Sequence, residues 1–126
     1  MRIVFDIDGT ICTNKEEGGS YADVVPLEGA VESLQRFKNE GHYIILQTAR
    51  HMWTCQSNEG KVLKMGGKLL FDWLEKWKIP YDEVYFGKPH ADIFIDDAGH
   101  KHIDWVSTSA VIDELAAKGG RFPNRQ

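Results

Sequence analysis

Short apolar runs recur along the sequence, and each of them leads into a polar or charged residue. The four runs are residues 2–7, 42–47, 83–86 and 93–95. Runs of this length without a helical period are typical of buried β-strands. Because the longer stretches between and after them include amphipathic segments, the sequence predicts an α/β fold, a Rossmann-like three-layer sandwich around a parallel sheet. Ligands bind such sheets at the carboxyl ends of the strands.

Three stretches space their apolar side chains at intervals of three and four, as amphipathic helices do. They are residues 26–41, 69–77 and 107–118. Pro26 near the start of the first and Gly41 just past its end favour a helix there, and Gly119 would end the last. We expect the polar stretch between Arg50 and Gly67 to be a long connection without regular structure.

The composition is that of one ordinary globular domain. The chain has 126 residues, 42% of them hydrophobic, and a net charge of -4. We therefore expect a single domain over residues 1–126, with a flap at about 11–25 and a frayed tail at about 119–126. The acidic net charge disfavours nucleic acid as a partner. No apolar stretch approaches the roughly 20 residues that cross a bilayer. Two cysteines are too few for a disulfide framework. These features predict a cytoplasmic protein without a membrane partner.

Reactive side chains follow the ends of the predicted strands. They are Asp6 and Asp8, then Thr48, then Lys88, then Asp96 and Asp97. Because the carboxyl ends of parallel strands meet at one edge, we expect these side chains to converge. Carboxylates crowded together oppose one another's ionisation unless a cation lies between them, and Mg²⁺ prefers such oxygen ligands. The pattern therefore predicts a magnesium site.

The same residues suit a phosphoryl group. The ammonium of Lys88 and the hydroxyl of Thr48 would bind phosphate oxygens. One carboxylate of the Asp6 and Asp8 pair can attack phosphorus to give an aspartyl-phosphate, while the other protonates the leaving alcohol and then activates water. This chemistry is that of a phosphomonoesterase.

The segment Phe5–Ile11, followed by Thr48, by Lys88 in Gly-Lys-Pro and by Asp96-Asp97 after Ile-Phe-Ile, resembles the haloacid dehalogenase (HAD) superfamily over about residues 1 to 105. The resemblance implies that Asp6 is the nucleophile and Asp8 the general acid and base. It also implies that Mg²⁺ is held by Asp6, by the Asp8 carbonyl and by Asp97 or Asp96, with Asp97 favoured. Lys88 lies only eight residues before Asp96, which leaves no room for the helix that usually separates the two motifs.

The intervals between the motifs are too short for a cap domain, so the chain resembles capless HAD members. The stretch Thr48–Thr54, with Asn58, Gly60 and Lys61, is similar to small capless proteins of capsule and surface-polysaccharide biosynthesis. This narrower resemblance implies a sugar or small polyol phosphate as substrate, with Ala49, Arg50 and Lys61 among its contacts. A capless site is open, which suits a macromolecular substrate, or else a homo-oligomer in which a neighbouring subunit closes the site.

Two other kinds of function stay open on the sequence alone. One is a phosphatase of a macromolecule, such as a nucleic-acid end or a phosphoprotein. The other is a non-catalytic phosphate-binding module or a receiver-type signalling domain. The residue order disfavours a receiver, because Lys88 precedes the acidic pair Asp96-Asp97 instead of following it.

Overall fold

A computed structural model describes residues 1–123. Its strands are β1 (Arg2–Asp6), β2 (Tyr43–Thr48) and β3 (Glu83–Phe86), and its α-helices are α1 (Ala30–Asn39), α2 (Glu59–Lys76) and α3 (Trp105–Ala117). A short 3₁₀ turn covers Tyr21–Asp23. The expectation of a frayed tail falls in part on residues 124–126, which lie outside the described residues.

The three strands form one parallel sheet in the order β1-β2-β3. Asp6 is opposite Gln47, and Thr48 is opposite Phe86. All three strands therefore end at the same edge of the sheet. The predicted α/β class is confirmed, and this shared edge is the part of the fold that positions the candidate site.

The core fixes the helices against the sheet. The ring of Phe5 on β1 stacks on Phe37 of α1 at 6.4 Å between centroids and packs against Trp105 of α3 at 5.7 Å. On β2, Ile44 and Leu46 on one face and Ile45 on the other are all buried, as expected for a central strand covered on both faces. The helix α2 contacts β3 and the 3₁₀ turn.

The first helix begins later than predicted. Pro26 forms an isolated antiparallel bridge with Cys12 instead of opening the helix, and the helix starts at Ala30 after Gly29. Gly29 has a φ of 82°, a left-handed conformation that residues with a Cβ rarely adopt. The periodic apolar residue Leu27 therefore packs from a turn.

The long connection expected between Arg50 and Gly67 is wrong for its second half. The helix α2 begins at Glu59, because the side chain of Asn58 caps it by accepting a hydrogen bond from the amide of Lys61 at 3.0 Å. The adjacent glycines Gly66 and Gly67 in the middle of this helix hid its period in the sequence. Both Gly66 and Gly67 are buried, and the helix tolerates them because its neighbours pack closely at these positions.

The fourth predicted strand, residues 93–95, is also wrong for this chain taken alone. No strand is assigned to it among the described residues, and the side chains of Ile93, Phe94 and Ile95 are exposed. The connection from β3 is too short to return the chain to the start of the sheet.

The last helix is confirmed and begins two residues earlier than the sequence predicted. Its cap is Asp104, whose carboxylate accepts from the amide of Ser107 at 2.7 Å. The indole of Trp105 is buried and donates to the carbonyl of Thr10 at 2.9 Å, so it joins α3 to the turn after β1. None of the helices described here is long and apolar enough to span a membrane.

Candidate active site

A tight turn after β1 presents two carboxylates at the edge of the sheet. Three successive amides, those of Thr10, Ile11 and Cys12, donate to the carbonyl of Ile7 at 2.9 to 3.2 Å. Gly9 permits this turn with a φ of 80°. Asp6 at the end of β1 and Asp8 just beyond it both line a cavity of about 270 Å³.

Lys88 reaches the same cavity from the end of β3. Its amide donates to the carbonyl of Thr48 at 3.1 Å, and its ammonium lies 3.2 Å from a carboxylate oxygen of Asp6. Burial raises the pKa of the Asp6 carboxyl above its usual value, and the Lys88 ammonium opposes that rise. The carboxylate of Asp6 is thus only partly hydrated, which keeps it available to react at an electrophilic centre.

Arg50 holds Asp8 by a two-point ion pair. The Nε of Arg50 lies 2.9 Å from Oδ2 of Asp8, and the Nη2 lies 2.9 Å from Oδ1. The Arg50 side chain is only 3% exposed, and its guanidinium lies 4.2 Å from the ring centroid of Tyr21. A guanidinium that is packed and paired in this way fixes the orientation of the Asp8 carboxylate.

The predicted flap lies beside these residues. Its base is closed by the amide of Thr13, which donates to the carbonyl of Val25 at 2.9 Å, and by the amide of Leu27, which donates to the carbonyl of Ile11 at 2.8 Å. Tyr21 near its far end covers Arg50 and lines the cavity that contains Asp6 and Asp8. The flap therefore forms one wall of the site.

A second cavity of about 580 Å³ adjoins the first. The two share Tyr21, Ala49, Arg50 and His90 in their walls. A volume of this size is within the range of small-molecule sites in proteins. The smaller cavity could hold a reacting group at the carboxylates, while the larger one could hold the rest of a small ligand.

Thr48 lies close to the site but does not line either cavity. It is fully buried, and its hydroxyl accepts a hydrogen bond from the amide of Arg50 at 3.0 Å. Its visible role is to shape the turn that carries Ala49 and Arg50, and this role is compatible with donation by its hydroxyl to a ligand.

Lys61, Asp96 and Asp97 are not brought to the cavities. Lys61 is exposed in the first turn of α2. A carboxylate oxygen of Asp96 accepts from the amide of Ala98 at 3.0 Å, and Asp97 pairs with the guanidinium of Arg121. Within residues 1–123 the structure brings together no group of three or more acidic, histidine or cysteine side chains that could hold a metal ion.

Several wall residues were not predicted as site residues. Trp53 and His90 pair at 5.5 Å between ring centroids, and His51 packs edge-on against Tyr21 at 5.3 Å; all four line the larger cavity. The sequence pointed only to the region, through the residues that follow Thr48. Burial lowers the pKa of His51, so the neutral ring is favoured near neutral pH.

The buried thiol of Cys12 has no catalytic character. Burial, reinforced by the charge of Asp8, raises its pKa to about 12. A thiol with so high a pKa is not a thiolate near neutral pH, and a thiolate is what a nucleophilic cysteine requires. The acidic side chains therefore remain the candidate nucleophiles.

Comparisons with known proteins concern the family and the fold. Residues 3–64 match the model of a haloacid dehalogenase-like hydrolase family. The fold is similar to the crystal structure of an MCSG target from Vibrio cholerae, with a TM-score of 0.74 and 26% identity over 90% of this chain and 97% of that one. It is also similar to D,D-heptose 1,7-bisphosphate phosphatase from B. bronchiseptica complexed with magnesium and phosphate, with a TM-score of 0.50 and 15% identity over 93% of this chain and 63% of that one. No curated protein sequence matches the chain.

Proposed function

The chain belongs to the haloacid dehalogenase-like hydrolases, and from this premise we propose that it is a Mg²⁺-dependent phosphatase of small phosphate monoesters. The proposal depends on one observation, two ion pairs that lie side by side at one edge of the sheet. Asp6 lies against Lys88, and Asp8 lies against Arg50, within a single cavity. This arrangement supports the proposed roles of Asp6 as nucleophile and Asp8 as acid, with two cations beside them.

The reaction has two halves. A carboxylate oxygen of Asp6 attacks phosphorus and the bond from phosphorus to the leaving oxygen breaks, while Asp8 gives that oxygen its proton. In the second half Asp8 takes a proton from water, and the water oxygen attacks the aspartyl-phosphate to release phosphate and free Asp6. The ammonium of Lys88 neutralises charge on the phosphoryl oxygens in both halves.

The donor set fits a hard divalent cation in part. Asp6 and Asp8 offer carboxylate oxygens, the Asp8 carbonyl is a further oxygen donor, and Asp97 or Asp96 is the proposed third acid. When bound, Mg²⁺ would neutralise charge on the phosphoryl group and orient it. In the described chain Asp96 and Asp97 lie outside the cavity, so the set is incomplete within one chain.

The larger cavity supports a sugar or polyol phosphate as the substrate. Its volume of about 580 Å³ suits a small ligand, and its wall combines rings such as Trp53 with polar groups such as Lys15 and Ser20. The heptose bisphosphate phosphatase from B. bronchiseptica acts, by its name, on a sugar phosphate. A role in polysaccharide biosynthesis in the cytoplasm belongs to this same proposal.

Phosphate release from a panel of monophosphates tests the proposal. The panel contains sugar, polyol and nucleotide phosphates, a phosphopeptide and an oligonucleotide with a terminal phosphate, each assayed with Mg²⁺ and with a chelator. We expect Mg²⁺-dependent release from a sugar or polyol phosphate, loss of it in Asp6→Asn, and its retention in the control Asp72→Asn on the exposed face of α2. Preference for the phosphopeptide or a nucleic-acid end would replace the small substrate by a macromolecule, and full activity in Asp6→Asn would refute the nucleophile.

The role of Asp8 has a separate test. In the first half-reaction, followed as the burst of alcohol release before the steady state, Asp8→Asn should slow esters with poor leaving groups far more than those with good ones such as nitrophenyl phosphate, because only a poor leaving group needs protonation. An equal loss on both kinds of ester would contradict the role as general acid.

A further inference from the structure

The segment Asp92–Asp97 has the sequence of a buried strand but exposed side chains. Its apolar residues are Ile93, 72% exposed, Phe94, 51% exposed, and Ile95, 88% exposed. Apolar surface gathered in this way marks a contact with another macromolecule more often than a solvated loop. The nearby residues Ile103 and Val106 are also strongly exposed. The segment Asp92–Asp97 therefore presents an apolar surface on a stretch of chain without regular structure, next along the chain to the start of α3.

The outer edge of β1 is the complementary feature. Within residues 1–123, β1 pairs with β2 on one side and with no strand on the other. Val4 on β1 is 52% exposed, although its neighbour in the register, Ile45 of β2, is buried. An edge strand with free amides and carbonyls is a template for a further strand.

The chain cannot fill this edge with its own segment in parallel orientation. Lys88 is held at the carboxyl end of the sheet by Thr48 and Asp6, so only residues 89–92 remain before the strand would start. A parallel strand would have to start at the opposite end of β1, and crossovers between parallel strands of one chain need about a dozen residues or more. A second copy of the chain is free of this restriction.

The orientation matters because it decides where the acids go. If the segment ran parallel to β1, its carboxyl end would lie beside Asp6, and Asp96 and Asp97 would lie at the edge that carries the site. If it ran antiparallel, both acids would lie at the far end of the sheet. The site lacks a third carboxylate from its own chain, and the exposed segment carries two carboxylates, Asp96 and Asp97. A partner's segment could therefore supply the acid that the site lacks.

We propose that the chain is a homodimer in which the segment Asp92–Asp97 of each copy adds a parallel strand to the outer edge of β1 of the other. Each active site then takes Asp6, Asp8 and Lys88 from one copy and Asp96 and Asp97 from its partner. The exchange is reciprocal, so both edges close. The shared acid site rests on the proposed function; the strand exchange does not.

The mass in solution tests the exchange without any assay of activity. Sedimentation equilibrium should give twice the chain mass of 14.3 kDa for the native protein. Ile95→Lys should give a folded monomer, because the exposed side chain touches nothing that its own fold needs. Leu63→Lys, at a side chain 50% exposed on α2, is the control and should stay dimeric. A native monomer, or a dimer that Ile95→Lys leaves intact, would overturn the proposal.

Complementation tests the shared site. Asp6→Asn and the double variant Asp96→Asn/Asp97→Asn should each be inactive alone. Refolded together in equal amounts, they should regain about a quarter of the native activity, since half of the dimers are mixed and each mixed dimer has one intact site. No recovery, with dimers present and the native protein active, would show that the acids act within their own chain and would overturn the shared site.

The two proposals fail in different ways. If the native protein releases phosphate from no substrate, the proposed function is refuted, while the masses of the native protein and of Ile95→Lys still decide whether the strands exchange. If the native protein is active and monomeric, the function stands and the exchange is wrong. Circular dichroism of each variant confirms that it is folded before either result is used.

Discussion

Gly66 offers a stability test of the way the larger cavity is built. A Cβ added at Gly66 would lie 2.6 Å from Cδ2 and 2.7 Å from Nε2 of His51, closer than real contacts allow. The glycine lies inside α2, where alanine would otherwise stabilise the helix by about 1 kcal/mol. Crowding in a packed region costs about 1 to 3 kcal/mol. We therefore expect Gly66→Ala to be destabilised by up to about 2 kcal/mol.

The matched control is Gly60→Ala in the first turn of the same helix. Its Cβ would meet only the side-chain oxygen of Asn58 at 3.5 Å, an ordinary contact. That variant should gain a few tenths to about 1 kcal/mol. At about 4 °C per kcal/mol, the melting temperature of Gly66→Ala should lie about 1 to 12 °C below that of Gly60→Ala, which thermal unfolding followed by circular dichroism resolves.

A double variant identifies the clashing partner. In a His51→Ala background the ring is gone, so Gly66→Ala should become neutral or stabilising, and the cycle measures the coupling directly. Equal gains from Gly66→Ala and Gly60→Ala in the native background would refute the packing argument, because they would show that the ring moves aside at no cost.

Three further predictions concern other parts of the fold. Burial lowers the pKa of His42 below 6.5, so as the pH falls below 6.5 the unfolded chain binds the proton first and the free energy of unfolding drops. Urea unfolding should show a smaller drop in His42→Gln, and an unchanged drop would argue against this residue. Asn58→Ala should cost about 1 kcal/mol by removing the cap on the amide of Lys61, whereas Asn58→Asp should keep it, as thermal unfolding can check. Arg50→Met should cost about 1.5 to 3 kcal/mol, because it removes the two-point pair with the partly exposed Asp8, and a loss below the error of denaturant unfolding would contradict that pair.

The sequence predicted three strands of the parallel sheet and the position of Asp6 and Asp8 at its edge, because both follow from strictly local patterns. A run of apolar residues ending in Asp6 and Asp8 with a glycine behind them specifies a strand and a tight turn without reference to the rest of the chain. Lys88 could also be placed, since a residue just after β3 must lie at the edge where β1 ends. These predictions needed only the geometry of a parallel sheet.

The remaining features depend on contacts between distant parts of the chain. The helical stretch from Glu59 was hidden because Gly66 lowers helix propensity. The reason for a glycine at this position is the close approach of the His51 ring, which only the folded chain shows. The ion pair between Arg50 and Asp8 joins residues 42 positions apart, and no spacing rule predicts it. In the helix, tertiary packing overrides the low helix propensity of glycine. In the ion pair, tertiary packing brings together two residues that no local pattern relates.

The wrong strand at residues 93–95 is of a different kind. Its sequence signal was as clear as that of β3, yet only four residues separate it from Lys88, whose amide and ammonium are both held at the carboxyl edge. A strand signal that the connectivity forbids within one chain can be satisfied between two chains, as in the proposed dimer, since pairing follows the sequence pattern and not the covalent order. The same short connection that leaves no room for a helix before Asp96 also leaves the site open and the strand exposed. A second copy that adds its strand to β1 closes both, so the openness of a capless site and the exposure of this segment have a single physical explanation.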